Sequence, residues 1–456
     1  MVFSKAKVRF IYLKGLGNNM FSYSLLACLI AWMFPTKDDR RKVRKFCEKM
    51  DYINRFPAVQ KHYGKLIEKI KHTDKKIRVL FLVNEISKWK AQSLYDLMDK
   101  SDRFEPIIAV TISDIQEKIT KETKASIIEK CYNFFANQKG MNTIIAWDLK
   151  NDKAIDLKNF DPQIVFFQQP WWLAKNQEPR KVRQYALTCY IPYYVPNYGI
   201  LSMDYMEFHS NLFRYYVQNK AWEDFYKLKV GTVGGNIYGL GHTALDKYYL
   251  ETNPENTKHY VIYAPHWSIR SNKNSNEEFY STFNWNGKFI LEYAKSHPEI
   301  NWVFKPHPKL KIALSRSGEM SNEEIENYYK EWESIATTCY TSDYLELFMQ
   351  SDAMITDCGS FLIEYFYSGK PLIHLQSEYN LTVPPKHIQK IFNTFYDVED
   401  IDTLKLTLDK ILLQKIDPKK DERNRILQSD DLKISYAAKN IMDDLEKVLD
   451  IKELSY

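Results

Sequence analysis

Two successive series of short, almost uninterrupted apolar runs, separated by stretches of helical periodicity, leave this chain few folds to adopt. The first series is Ile77–Val83 (IRVLFLV), Ile107–Thr111, Thr143–Trp147 and Ile164–Gln168. A strand with one solvated face alternates apolar with polar residues. A run that is apolar throughout is buried on both faces, as in a parallel strand covered by helices. Lys88–Lys100 (KWKAQSLYDLMDK) fits the first crossover helix. The second series opens at His259 with HYVIYAP and continues through Asn301–Pro306, Ala353–Asp357 and Lys370–Leu375. Helical patterns cover Lys288–Ser296, Asn322–Ile335, Tyr344–Gln350 and Phe361–Tyr367. Each series predicts βαβ units wound into a parallel sheet.

At 456 residues the chain exceeds the roughly 250–300 at which one core stops growing, so two sheets imply two domains. The expected fold class is α/β and GT-B-like: two Rossmann-like doubly wound domains facing a cleft, with an N-terminal helical segment. The expected bounds are 1–75 for that segment, 76–245 and 246–415 for the two domains, and 416–456 for C-terminal helices, including an amphipathic one over Ile434–Leu449. Gly231, Gly234, Gly235, Gly239 and Gly241 gather before Asn253-Pro254, a composition suited to a linker or a ligand-facing loop.

An apolar share of 45% with 27% charged residues is globular. The six cysteines show no CxxC pair and no histidine at zinc-finger spacing, so neither a disulfide framework nor a metal site is expected, and a cytoplasmic location fits. No secretory leader is legible, and no run reaches the roughly 18–20 apolar residues of a spanning helix. A net charge of +6 is small for nucleic-acid binding over this length. Basic residues nevertheless gather at the front, as KDDRRKVRK over Lys37–Lys45 and as repeated lysines over Lys61–Lys76. With the apolar stretch Met20–Phe34 before them, they read either as an interfacial anchor on the inner face of a membrane or as a buried helix followed by a solvated one.

Chemistry is expected where the second series of strands ends. Asp357 closes one strand, Gly359 permits close backbone approach, and Ser360 is expected to cap the following helix, whose N-terminus suits a diphosphate. Glu364, on the same face, would accept from a ribose or glycerol hydroxyl. The plainer alternative is a capped helix with Asp357 bonding to the turn. In Lys305-Pro306-His307-Pro308 the prolines fix the loop. His307 could then donate to a phosphoryl oxygen and Lys305 supply charge, or the loop is simply Pro-bounded with a surface histidine. Tyr263–Ile269 (YAPHWSI) offers His266 as an acid/base or a capping residue, and Trp267 as a stacking platform or hinge packing; Arg270 could neutralise phosphate. In the first domain, QQPWW and CYIPYYVP place Trp171, Tyr190 and Tyr193 after strands, to line a polymer groove or fill an interdomain core.

Taken together and in order, YAPHWSI, FKPHP and SDAMITDCGSFLIEYFYSGKPLIHL resemble the donor domain of the CDP-glycerol glycerophosphotransferase family, which includes teichoic acid polymerases and capsule-synthesis proteins. The resemblance implies a GT-B fold, CDP-glycerol or another CDP-polyol as donor substrate, and no required cofactor or metal. It further implies a polysaccharide or polyol-phosphate acceptor and attachment to the inner membrane face. Residues 76–245 would then be the acceptor side and 246–415 the donor side. By position, His307 matches the family's HP histidine, and Asp357 with Ser360 its aspartate–serine turn, both expected to hold donor phosphates. The departures are Gly359-Ser360 for the usual serine pair, and Pro265-His266-Trp267-Ser268 for the usual proline–threonine–tryptophan–arginine stretch. In addition, YIPYYV over Tyr190–Val195 stands where the family has a WHG-type loop, whose histidine is its presumed base. Proton removal would then fall to His266, His209 or His242, or the chain serves a different donor or acceptor. The implied reaction is attack by a hydroxyl on the donor's β-phosphorus, expelling CMP, with catalysis by positioning and charge neutralisation. The rival readings are a GT-B glycosyltransferase using a CMP-activated acidic sugar and a non-catalytic scaffold for polymer assembly.

Overall fold

The computed structural model describes residues 36–73, 75–112, 120–195, 206–250, 259–269, 280–340, 344–377 and 383–450. Residues 1–62 and 63–456 form two compact units. The described part of the first belongs to a helix, Lys37–Lys71, that carries Pro57. The apolar stretch Met20–Phe34 lies outside the described residues. Among the described residues no helix is long and apolar enough to cross a membrane.

Within residues 63–456 each apolar series folds into an all-parallel sheet. The first contains β1 (Ile77–Val83), β2 (Phe104–Val110) and β3 (Thr143–Ile145); β4 (Trp147–Asp148) and β5 (Lys153–Ala154) form a separate antiparallel hairpin. It continues with β6 (Ile164–Phe167), β7 (Leu187–Tyr190), β8 (Arg214–Tyr216) and β9 (Ile237–Tyr238), in the order β3-β2-β1-β6-β7-β8-β9. The second comprises β10 (Val261–Ala264), β11 (Trp302–Phe304), β12 (Thr337–Thr338), β13 (Ala353–Thr356), β14 (Leu372–Leu375) and β15 (Tyr396–Val398), in the order β12-β11-β10-β13-β14-β15. Strand order reverses between β1 and β6 and again between β10 and β13. With right-handed crossovers, such a reversal puts helices on both faces, which gives two Rossmann-like doubly wound lobes and a GT-B-like fold.

The expected apolar runs all contain strands, although Trp147 belongs to the hairpin and β2 begins at Phe104, ahead of the expected Ile107. The strands β5, β7, β8, β9, β12 and β15 were not expected. They are two to four residues long, too short for a periodicity to show. The helix Asn322–Ile335 opens with a capping box between Ser321 and Glu324. It packs its Trp332 ring on Phe304 at 4.8 Å, covering one face of the second sheet.

The glycine cluster is not a linker. Gly231–Asn236 is a short 3-10 segment leading into β9. Gly241, at φ +113°, permits a close approach: a Cβ there would lie 2.5 Å from Ala437 Cβ. Ala437 begins the C-terminal helix Ala437–Val448, which returns from the second lobe to pack on the first. The buried Asp246 fastens its start, accepting from Ala437 N–H (2.7 Å), Ala438 N–H (3.0 Å) and the Ser93 hydroxyl (2.6 Å). One turn from its end, Asp444 accepts from Arg214 Nε (3.0 Å) and Tyr216 OH (2.9 Å). Asp246→Ala strands two helix N–H groups and should cost about 2–3 kcal/mol, read as an earlier urea midpoint at unchanged slope.

Candidate active site

Register decides which loops meet. Ala264 pairs with Thr356 and Tyr263 with Phe304, so the segments after β10, β11 and β13 leave one edge side by side. That edge flanks the β10/β13 reversal, the place where open parallel sheets receive ligands. Beneath it lies Asp357, 3% exposed. One carboxylate oxygen accepts from His266 N–H at 2.6 Å; the other accepts from Thr282 N–H at 2.7 Å and the Thr282 hydroxyl at 2.9 Å. Burial holds the Asp357 carboxyl above its usual range, although these donors lower it in part. Asp357 therefore positions other groups, which corrects the expectation that it holds donor phosphate. Both its oxygens are committed to protein donors, and a carboxylate repels an anion.

The loop that Asp357 fastens carries His266, whose Nδ1 lies 2.8 Å from Ser268 Oγ and accepts from Ser268 N–H at 3.2 Å. Tyr280 N–H donates to Ser268 Oγ at 2.9 Å, leaving the hydroxyl proton for the imidazole. His307 is held in the same manner: its Nδ1 accepts from Lys309 N–H at 3.1 Å, and its backbone N–H donates to Pro265 O at 3.1 Å. The two rings are 5.4 Å apart. Burial, then the neighbouring His307, pulls His266 down to about 3. Burial, then Lys309 and Lys305, pulls His307 down to about 4. Both imidazoles are thus neutral near pH 7, and with Nδ1 accepting, each carries its proton on Nε2. The result is a pair of adjacent N–H donors suited to an anion. It also sets aside His266 as the base, because its accepting nitrogen is already occupied.

Around the pair, Lys305 is 7% exposed, with its ammonium 5.2 Å from the Tyr344 ring and 5.9 Å from the Phe361 ring; burial lowers its pKa. Trp267 is 37% exposed, beneath Lys309 Nζ at 5.2 Å and beside the His307 ring at 5.8 Å, as a stacking platform would be. The helix after β13 spans Gly359–Phe366, so Cys358 holds the N-cap position. Ser360 is not the cap; it lies exposed in the first turn, its Oγ 3.3 Å from Cys358 Sγ. Glu364 is also corrected: its Oε2 accepts from Tyr344 OH at 2.6 Å, and at 1% exposure the side chain is buried away from a ribose or glycerol hydroxyl in this arrangement. Tyr344 OH in turn accepts from Lys90 Nζ of the first lobe at 3.1 Å. Arg270 lies outside the described residues.

The first lobe presents the loops after β1 and β6, at its own strand reversal, pinned together by Lys90 N–H donating to Gln168 Oε1 at 3.2 Å. Trp171 and Tyr193 are half-buried, their rings 5.9 Å apart, and Trp172 beside them is 45% exposed. Lys88 Nζ lies 5.5 Å from the Tyr193 ring and 5.9 Å from that of Trp172. Tyr190 leaves the groove. At the end of β7 it points into the core, fully buried against Tyr215 (4.9 Å) and Phe208 (5.0 Å). His209 is buried beside the same Tyr190 and Tyr215 rings, and His242 is buried as the cap of Thr243–Leu245, its Nδ1 accepting from Ala244 N–H. Burial and then Lys90 pull His242 down to about 4. Neither can meet an incoming hydroxyl. Among the described residues no three His, Cys, Asp or Glu side chains gather as metal ligands.

Sequence reasoning missed Thr282, Ser268, Tyr344 and Lys90. Lys90 alone had a usable signal, since it follows the first strand at the same edge as the other strand-end motifs. Asp357→Asn turns a donor toward these N–H and O–H groups, so the melting temperature should fall, read in thermal scans. The histidines also predict a pH dependence. The unfolded chain protonates near 6.5 while folded His307 resists to about 4, so stability should be full above about 6.5 and fall as pH drops toward 4. His307→Ala should flatten that fall in urea titrations across the same range.

A family model described as CDP-Glycerol:Poly(glycerophosphate) glycerophosphotransferase matches residues 243–381. No significant match was found among curated proteins. Among solved structures, a UDP-N-acetylglucosamine 2-epimerase is similar at 12% identity, covering 84% of this chain and 98% of that chain with a TM-score of 0.51. The S. aureus MnaA–UDP co-structure follows at 12% identity, 83% and 99% coverage and a TM-score of 0.50. The wall teichoic acid polymerase TagF aligns at 13% identity over 90% of this chain and 98% of that chain, with a TM-score of 0.49. At such identities the likeness to these structures is one of fold alone. The resemblance to the CDP-glycerol glycerophosphotransferase family, read from the motifs, is borne out over residues 243–381, the segment that holds His266, His307, Asp357 and Ser360.

Proposed function

We propose that this protein transfers glycerol phosphate, or a related polyol phosphate, from a CDP-activated donor to a hydroxyl of a cell-surface polymer of the capsule or teichoic acid type, releasing CMP. The observation that carries this reading is the pair of neutral imidazoles 5.4 Å apart, each with Nδ1 occupied, beside the buried Lys305 and the N-terminus of the helix Gly359–Phe366. Four features there favour negative charge: two N–H donors, an ammonium, a helix dipole and the exposed Ser360. The family match over the same residues supports a nucleotide-activated donor and a transferase.

In this reading the donor diphosphate lies along the edge after β10, β11 and β13, where the donors stabilise charge growing on the departing CMP. Trp267 offers its exposed face to the nucleotide. The acceptor chain approaches from the first lobe, across Trp171, Trp172 and Tyr193. No cofactor is required, because positioned positive groups can neutralise the phosphates. The basic run Lys37–Lys45 supports cytoplasmic work at the anionic inner face of the membrane.

Purified protein given CDP-glycerol, CDP-ribitol or CMP-sialic acid, with polymer acceptor and with or without chelator, distinguishes the readings. We expect CMP release from a CDP-polyol that survives chelation and falls at least tenfold in His307→Ala, along with donor affinity. A glycosidic product from the CMP-sugar would establish the glycosyltransferase instead, and nucleotide binding without release would establish the scaffold.

A further inference from the structure

We infer that Glu85, in the loop after β1, takes the proton from the acceptor hydroxyl as that oxygen attacks the donor phosphorus. This assignment rests on the donor reading proposed above. It begins from elimination: His266 and His307 have their accepting nitrogens occupied by protein donors, and His209 and His242 are buried. Among the described residues, the base must therefore be another accepting group that an incoming hydroxyl can reach.

Glu85 stands in the right place. β1 is the strand at which the order of the first sheet reverses, and Glu85 is the second residue past its end, at the carboxyl edge where this kind of sheet binds ligands. Its neighbours Lys88 and Lys90 connect that loop to both sides of the expected reaction path. Lys88 Nζ reaches the Tyr193 and Trp172 rings on the acceptor side, and Lys90 Nζ reaches Tyr344 OH on the donor side.

The carboxylate is also aimed and open. Ser87 Oγ–H donates to Oε1 at 2.5 Å and Lys88 Nζ donates to Oε2 at 2.9 Å, which fixes its orientation and leaves lone pairs for a third partner. Its side chain is 48% exposed, whereas the other carboxylates of the site, Asp357 and Glu364, are buried away from an incoming hydroxyl. The groups facing it are Lys88 and Ser87 from its own loop, Lys309 and His307 from the loop after β11, Tyr193 from the loop after β7, and Cys131. Burial pushes Glu85 up, but Lys88, the Ser87 hydrogen bond and Lys309 outweigh it and hold the group ionised at neutral pH.

The step balances with groups already named. The acceptor O–H bond breaks and its proton moves to a Glu85 oxygen, while the hydroxyl oxygen's electron pair forms a bond to the donor's β-phosphorus. The bond from that phosphorus to the bridging oxygen breaks with its pair remaining on CMP. Glu85 then releases its proton to solvent.

The test is turnover, CDP affinity and melting temperature of full-length wild type, Glu85→Gln and Glu85→Ala. Glu85→Gln should keep its melting temperature and bind CDP within twofold of wild type, while kcat falls about 10²–10⁴-fold and the acid limb of its pH profile disappears. Added formate should restore part of the turnover of Glu85→Ala. Wild-type turnover in Glu85→Gln overturns the inference, as does a loss of CDP affinity equal to the loss of kcat, which would mark a binding group. If wild type releases CMP from no CDP-polyol, the donor reading falls and takes this inference with it; failure of Glu85 alone leaves the donor reading standing.

Discussion

Three hydrogen bonds to one buried carboxylate hold the candidate site together. Asp357 ties the segment after β10, through His266 N–H, to the start of the helix Phe283–Ser296, through Thr282, and does so from the end of β13. The strands themselves deliver three chain segments to an edge, but pairing register cannot fix the path of a segment once it leaves the sheet. That is left to a charge too costly to bury unless surrounded by donors, and the donors it collects are the backbone groups that need placing. The orientation of His266, and so its arrangement with His307, depends on that bond.

The same economy of means recurs at each imidazole. A neutral histidine is a donor on one nitrogen and an acceptor on the other, and which is which depends on what the first nitrogen meets. Here backbone N–H groups within two residues meet Nδ1 in both cases, from Ser268 and from Lys309. The protein thereby obtains two fixed donors from residues usually read as proton shuttles, and a carboxylate across the cleft becomes the natural partner for the opposite task.

Much of this was legible in the sequence, for identifiable reasons. Strands buried on both faces write themselves as runs such as IRVLFLV and AMIT, so both sheets could be placed, while strands of only two to four residues such as Thr337–Thr338 left no pattern. Strand-end logic found His266, Lys305 and His307, because a motif following a parallel strand must lie at the carboxyl edge. It could not tell which way a side chain turns there. Asp357 turned inward, Glu364 was covered by Tyr344, and Tyr190 entered the core, all at positions where sequence allows either orientation. Contacts between distant segments, such as Lys90 with Tyr344 or Thr282 with Asp357, have no local signature at all.

The C-terminal helix has a mechanical consequence. Because Ala437–Val448 is anchored on the first lobe by Asp246 and Asp444, the chain passes between the lobes twice, once after β9 and once on its return. A single crossing would act as a swivel, free to twist in any direction. Two crossings define an axis, so any opening of the cleft reduces to rotation about that line, and the Lys90–Tyr344 contact becomes a catch on a door with one set of hinges.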